Sequence, residues 1–133
     1  MSVLRWNSPN PTSASSGQAT APSSPAPVPD IRINVGDCPA GKGIKRFNAI
    51  VTLEYGPTPP PVNITLTVDG APRRGALNFT RVGTSSDWRA TASFNDDLGE
   101  RQAIGLQWSS TSGSPSFADV TLSVVATDWG DID

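Results

Sequence analysis

From Ile31 onward the chain alternates apolar and polar residues with a period of two, the spacing of a β-strand with one buried face. Ile31, Ile33 and Val35 flank Arg32 and Asn34. Phe47, Ala49, Val51, Leu53 and Tyr55 alternate with Asn48, Ile50, Thr52 and Glu54. Val62, Ile64, Leu66 and Val68 form a third series, and Leu77 and Phe79 lie in a short fourth one ending at Arg81. Trp88, Ala90, Ala92 and Phe94 make a fifth, Ile104, Leu106 and Trp108 a sixth, and Val120, Leu122, Val124 and Ala126 a seventh. Turn formers separate the series at Gly36-Asp37, Gly56-Pro57, Asp69-Gly70, Gly83 to Ser86, Asn95 to Gly99 and Ser109 to Ser116. No segment carries a helical stripe, although a single turn over 97–101 is compatible with the pattern.

Seven short strands, each with one apolar face, predict an all-β, antiparallel two-sheet sandwich; a jelly roll or small barrel gives much the same alternation. Trp88 and Trp108 are expected as large core residues. The short turn between their strands predicts a hairpin.

Before Asp30 the pattern is absent. Residues 1–29 contain six prolines, many Ser and Ala residues, and Arg5 as their one ionisable side chain. Too little apolar surface is present to offset an ordering entropy of roughly 1–2 kcal/mol per residue. Proline favours an extended chain at about 3.1 Å per residue, so residues 7–29 would reach about 70 Å. Residues 1–29 are therefore expected as an extended N-terminal arm, dispensable for folding, and residues 30–133 as the β-sandwich domain. Val3, Leu4 and Trp6, with Arg5 among them, form an apolar cluster at the far end of the arm. Val3, Leu4, Arg5 and Trp6 are the expected partner-binding residues.

Composition narrows the function. The 133 residues have a net charge of −2, and the 12 acidic residues outnumber the 10 basic ones, so no basic excess exists to neutralise nucleic-acid phosphates. No apolar run approaches the roughly 18 residues of a membrane helix, and Met1 to Trp6 is followed by Asn, Ser and Pro instead of an apolar signal core. Cys38 is the single cysteine, which excludes an intrachain disulfide. The chain has no histidine, which removes Ser-His-Asp and Cys-His catalysis and His-ligated zinc.

The remaining chemical candidates are weak. Gly36-Asp37-Cys38-Pro39-Ala40-Gly41-Lys42 resembles a phosphate loop, but Gly43 stands where a magnesium-binding Ser or Thr belongs and Pro39 removes a backbone donor. Cys38 lies near Lys42, Lys45 and Arg46, which favour a thiolate, yet no base accompanies it. Asn95, Asp96, Asp97 and Glu100 have oxygens spaced for calcium, and equally for a solvated turn whose side chains bond local backbone. Arg73-Arg74 is a second small basic site. Asn63-Ile64-Thr65 and Asn78-Phe79-Thr80 match the glycosylation triplet but fall within expected strands. The expected protein is not an enzyme and holds no cofactor or metal.

The seven-strand pattern over residues 30–129 resembles the immunoglobulin-like class, without its Cys…Trp…Cys framework. A small sandwich of this kind, free of disulfides and carrying a proline-rich arm, resembles the capsid decoration or cement proteins of tailed bacteriophages. That resemblance implies a structural virion protein, assembled in the host cytoplasm and displayed on the virion surface. Its partner would be the major capsid protein or another lattice protein, with small homo-oligomers on the particle. The arm would contact neighbouring subunits. The alternative is a carbohydrate-binding or surface-adhesion sandwich, which needs exposed coplanar aromatic rings.

Overall fold

The computed structural model describes residues 4–7, 12–34, 45–73, 75–95 and 102–131. Every helix or strand among them is a strand. In chain order these are β1 (Leu4–Asn7), β2 (Thr12–Ser15), β3 (Ala19–Thr20), β4 (Ala26–Asn34), β5 (Lys45–Glu54), β6 (Val62–Val68), β7 (Ala71–Pro72), β8 (Thr80–Arg81), β9 (Asp87–Asn95), β10 (Ala103–Ser110), β11 (Ser116–Phe117) and β12 (Asp119–Asp131). The protein is all-β, and all of its strand pairs are antiparallel. A six-stranded sheet has the order β1-β12-β5-β9-β8, with β2 also on β12. A four-stranded sheet has the order β4-β10-β6-β7, and β3 and β11 form a two-stranded ladder.

The pairings nest. β6 pairs with β7 around Asp69-Gly70, β5 with β9, β4 with β10, β3 with β11, and β2 with β12. The chain is thus one long antiparallel hairpin folded over on itself, and β12 on β5 and β10 on β6 close the roll. Its tip is tight because Asp69 (φ 51°) and Gly70 (φ 84°) both adopt left-handed backbone, which a two-residue turn needs in order to match the twist of its strands.

Alternation then builds the core. Phe47, Val51 and Leu53 of β5, with Val120, Leu122 and Val124 of β12, join Ile64 and Leu66 of β6 and Ile104, Leu106 and Trp108 of β10 in one buried cluster. In β4 both Val28 and Ile31 are buried, which strict alternation forbids. Between the Arg32–Gly105 and Pro27–Gln107 pairs β4 advances five residues while β10 advances two, and Asp30 takes φ 60° within that stretch, so three extra residues of β4 are absorbed in an irregular bulge. Gly105 sits at this crowded point: a Cβ there would lie 3.1 Å from the Ile31 carbonyl oxygen and 3.2 Å from Thr67 Oγ1.

Four expectations change. The seven strands are twelve among the described residues, and the fourth, Leu77 to Arg81, shrinks to β8, with Leu77 instead donating its N–H to the Ile64 carbonyl of the other sheet. The immunoglobulin-like order, which keeps the first strand beside the second, is not found: β4 lies beside β10, and β12 lies beside β5. β9 and β10 do not form a hairpin, because β9 pairs with β5 and β8 whereas β10 pairs with β4 and β6. Finally, the boundary between arm and domain at residue 29 falls inside β4, and residues 12–29 are not a free arm. Ala21 is 1% exposed and Val28 2% exposed, both within the core cluster. Pro27 and Pro29 are tolerated because β4 is an edge strand, where a missing N–H on the outer side breaks no ladder.

Candidate partner-binding site

The N-terminal segment is fastened along one edge of β12. Thr12 to Ser15 stand opposite Val124 to Thr121, and Leu4 to Asn7 opposite Asp131 to Asp128. Among the described residues, β5 lines the other edge of β12 from Asp119 to Asp128. Of the expected partner-binding residues, Leu4, Arg5 and Trp6 stand on β1, the outermost strand of the six-stranded sheet, opposite Asp131, Gly130 and Trp129 of β12. Val3 lies outside the described residues.

Asp119 holds the other end of the segment. Its Oδ1 accepts from Ser15 Oγ at 2.5 Å and from Gly17 N at 3.0 Å, and its Oδ2 from Thr121 Oγ1 at 2.7 Å. Ser16 N donates to the Val120 carbonyl at 2.9 Å, and Ser16 Oγ accepts from Val120 N at 3.2 Å. The carboxyl is held below its ordinary value of 3.8, chiefly by the Ser15 hydroxyl and then by Thr121, Gly17 and Val120, against a smaller opposing effect of burial than that of Ser15. A depressed folded-state pKa contributes stability above the unfolded value and loses it as pH falls through the folded value. Protection of the Ser15 to Gly17 amides, their exchange taken against the intrinsic rate at each pH, should therefore fall as pH is lowered below 3.8. Asp119→Asn should flatten that dependence and speed exchange at neutral pH; equal exchange in both proteins would remove the anchor.

Two grooves lined by described residues assemble no reactive centre. The larger, about 860 Å³, lies between residues 75–82 and β9. Its Arg81 is committed to the loop beside it, donating from Nε to the Ser85 carbonyl at 2.7 Å and from Nη2 to the Thr84 carbonyl at 2.9 Å. The smaller, about 380 Å³, surrounds Gly105 and Asp69. Among the described residues no three His, Cys, Asp or Glu side chains stand together as metal ligands. Cys38, Lys42 and the loop from Gly36 to Gly43 lie outside the described residues, as do Arg74, Asp96, Asp97 and Glu100.

The aromatic side chains that are described face inward. Trp108 and Phe117 are buried with ring centroids 5.6 Å apart, and Phe117 lies 5.0 Å from half-buried Tyr55. Trp88 is buried and donates Nε1–H to the Gly56 carbonyl at 2.8 Å. Two residues of weight escaped sequence reasoning. Phe117 was hidden as a lone aromatic after a turn, and Asp119 as one of many acids. The Ser-Phe-Ala-Asp run at the head of the last apolar series was the available signal.

The chain matches no protein-family model and no curated protein.

Proposed function

We propose that the chain is a non-enzymatic structural protein that attaches to and stabilises a large assembly, in particular a capsid decoration or cement protein of a tailed-bacteriophage virion. The nested hairpin reads as a jelly roll, an architecture used by viral capsid domains and also by lectins. This part of the reading is analogy, because a fold does not fix a function. The observation that carries it is the place of β1, which holds Leu4, Arg5 and Trp6 on the outermost strand of the six-stranded sheet, an edge on which a neighbouring lattice protein can pair. The carbohydrate-binding alternative receives less support, because among the described side chains Ile50 is the one large apolar side chain exposed and no aromatic ring is.

Particle fractions purified from the source test the reading. Antibody against the chain should detect it at a fixed ratio to the major shell protein. Trp6→Ala should lower retention on shells severalfold while moving the melting temperature little, since Trp6 lies on an edge strand. Recovery in the soluble fraction alone, together with saturable binding to immobilised glycans, would put the lectin reading in its place.

A further inference from the structure

We propose that the groove over Gly105 binds a small zwitterion, a free α-amino acid that sets its ammonium on Asp69 and Thr67 and its carboxylate on Arg32. The proposal stands apart from the shell reading.

The register builds this groove on the outward face of the four-stranded sheet. Arg32, Gly105 and Thr67 stand in one row across β4, β10 and β6. Asp69 lies beside the next row, where its N–H donates to the Ala103 carbonyl at 2.8 Å and its Oδ1 accepts from Ala103 N at 2.9 Å. Glycine puts no side chain in the middle of the first row. A notch therefore opens between Arg32 and Thr67, whose strands lie about 10 Å apart. The groove holds about 380 Å³, the size of a site for a small molecule.

Thr67 carries the argument. It stands on the outward face and yet is 5% exposed, the one buried polar side chain among the described residues. Among those residues its hydroxyl has no hydrogen-bond partner. Leaving a buried hydroxyl unpaired costs free energy, so such a group points to a partner from outside the chain. Gly105 marks where that partner sits. A Cβ there would lie 3.2 Å from Thr67 Oγ1 and 3.1 Å from the Ile31 carbonyl oxygen, so both oxygens are turned to the space over Gly105. Ile31 belongs to the bulged stretch of β4 and has no partner in the register with β10.

The charges choose the ligand. Asp69 and Arg32 are exposed, and they are the two charged side chains on the groove. Ala103 N holds Asp69 Oδ1, which leaves Oδ2 as an acceptor. Arg32 Nε donates to Asn34 Oδ1 at 3.2 Å, which leaves its two Nη groups as donors. Asp69 Oδ2, Thr67 Oγ1 and the Ile31 carbonyl together offer three acceptors, the number that a primary ammonium uses. The Nη groups offer a fork for a carboxylate. A lone anion would meet Asp69 and a lone cation would meet Arg32, so a molecule carrying both charges fits best. No aromatic ring lines the groove to stack on a sugar.

An NMR titration of the isotope-labelled full chain tests this, with glycine, acetate and methylammonium as probes. Glycine should shift the amides of Thr67, Asp69 and Gly105 saturably, with a Kd of about 1–10 mM. Acetate and methylammonium should each bind about tenfold more weakly or worse, since each leaves one charge of the groove unmet. Thr67→Val should weaken glycine binding about fivefold or more and leave the melting temperature unchanged or raised, because a methyl of the same shape replaces the unpaired hydroxyl. Arg32→Gln, at an exposed position, should weaken binding comparably and keeps the test decisive if Thr67→Val does not fold. Three results would each overturn the proposal. They are no saturable shift with glycine at about 100 mM, acetate binding as tightly as glycine, or a folded variant of either kind that binds glycine as the parent does.

Discussion

Deleting residues 2–29 should abolish the cooperative folding of this protein. The deletion removes β1, β2, β3 and the first part of β4. It takes Ala21 and Val28 out of the core, and leaves Thr121 to Val124 of β12 without partners on one edge. It also strips the pairing of Gln107 with Pro27 and of Trp108 with Ala26, which uncovers the edge of β10 beside a core tryptophan. A domain of this size holds only about 5–15 kcal/mol of net stability, and the lost ladder and core surface are of that order. The newly opened edges invite intermolecular pairing, so the truncated chain should aggregate. Circular dichroism melting and sedimentation of the truncated and full chains provide the measurement. A truncated chain that is monomeric and melts cooperatively near the parent temperature would restore the detachable arm that the sequence pattern predicts.

Trp108→Ala should cost about 3–5 kcal/mol, the usual range for emptying a large aromatic site in a core. Trp108 is 2% exposed and belongs to the central strand pair of the four-stranded sheet. Its ring packs on Phe117, which in turn packs on Tyr55. Phe117 is fully buried, and Phe117→Ala should cost a comparable amount. The two losses should not be additive, since each variant removes the other's contact. Urea unfolding of the single and double variants reads the stabilities from the shift in midpoint. Parent-like stability of Trp108→Ala, with altered ligand or partner binding instead, would make Trp108 a recognition residue and favour the carbohydrate reading.

The strands that the sequence shows plainly are those in which large apolar residues alternate: β5, β6, β9, β10 and β12. Each is held between neighbours on the strength of one buried face. β2 and β4 are far harder to read. Ala14, Ala21 and Val28 bury too little area to stand out, and the surrounding prolines and serines mimic a linker. Pro27 and Pro29 stand inside a strand and not a linker, because an edge strand needs N–H groups on one side only. Sheet assignment was also not legible. A short connection after β9 suits a hairpin within one sheet and an arch between two sheets equally well, and only the nesting of all the pairs selects the arch. Val3, Leu4 and Trp6 stand out in the sequence as an apolar cluster, but nothing in it indicates that Leu4 to Asn7 pair with Asp128 to Asp131 at the end of β12.

The N-terminal segment is an outer strand of the roll, and one cross-link tests that most directly. Ser13 and Ser123 face each other in the register with their hydroxyls 2.7 Å apart. Replacing both with cysteine, in a chain carrying Cys38→Ser, places two thiols where a disulfide closes with little movement. Mild oxidation should produce the Ser13→Cys to Ser123→Cys disulfide nearly completely within the monomer, as read by peptide mass mapping, and should raise the melting temperature. Two thiols that remain free to alkylating reagent after oxidation, in a chain that is otherwise folded, would show that residues 12–15 do not lie along β12 and would contradict the account.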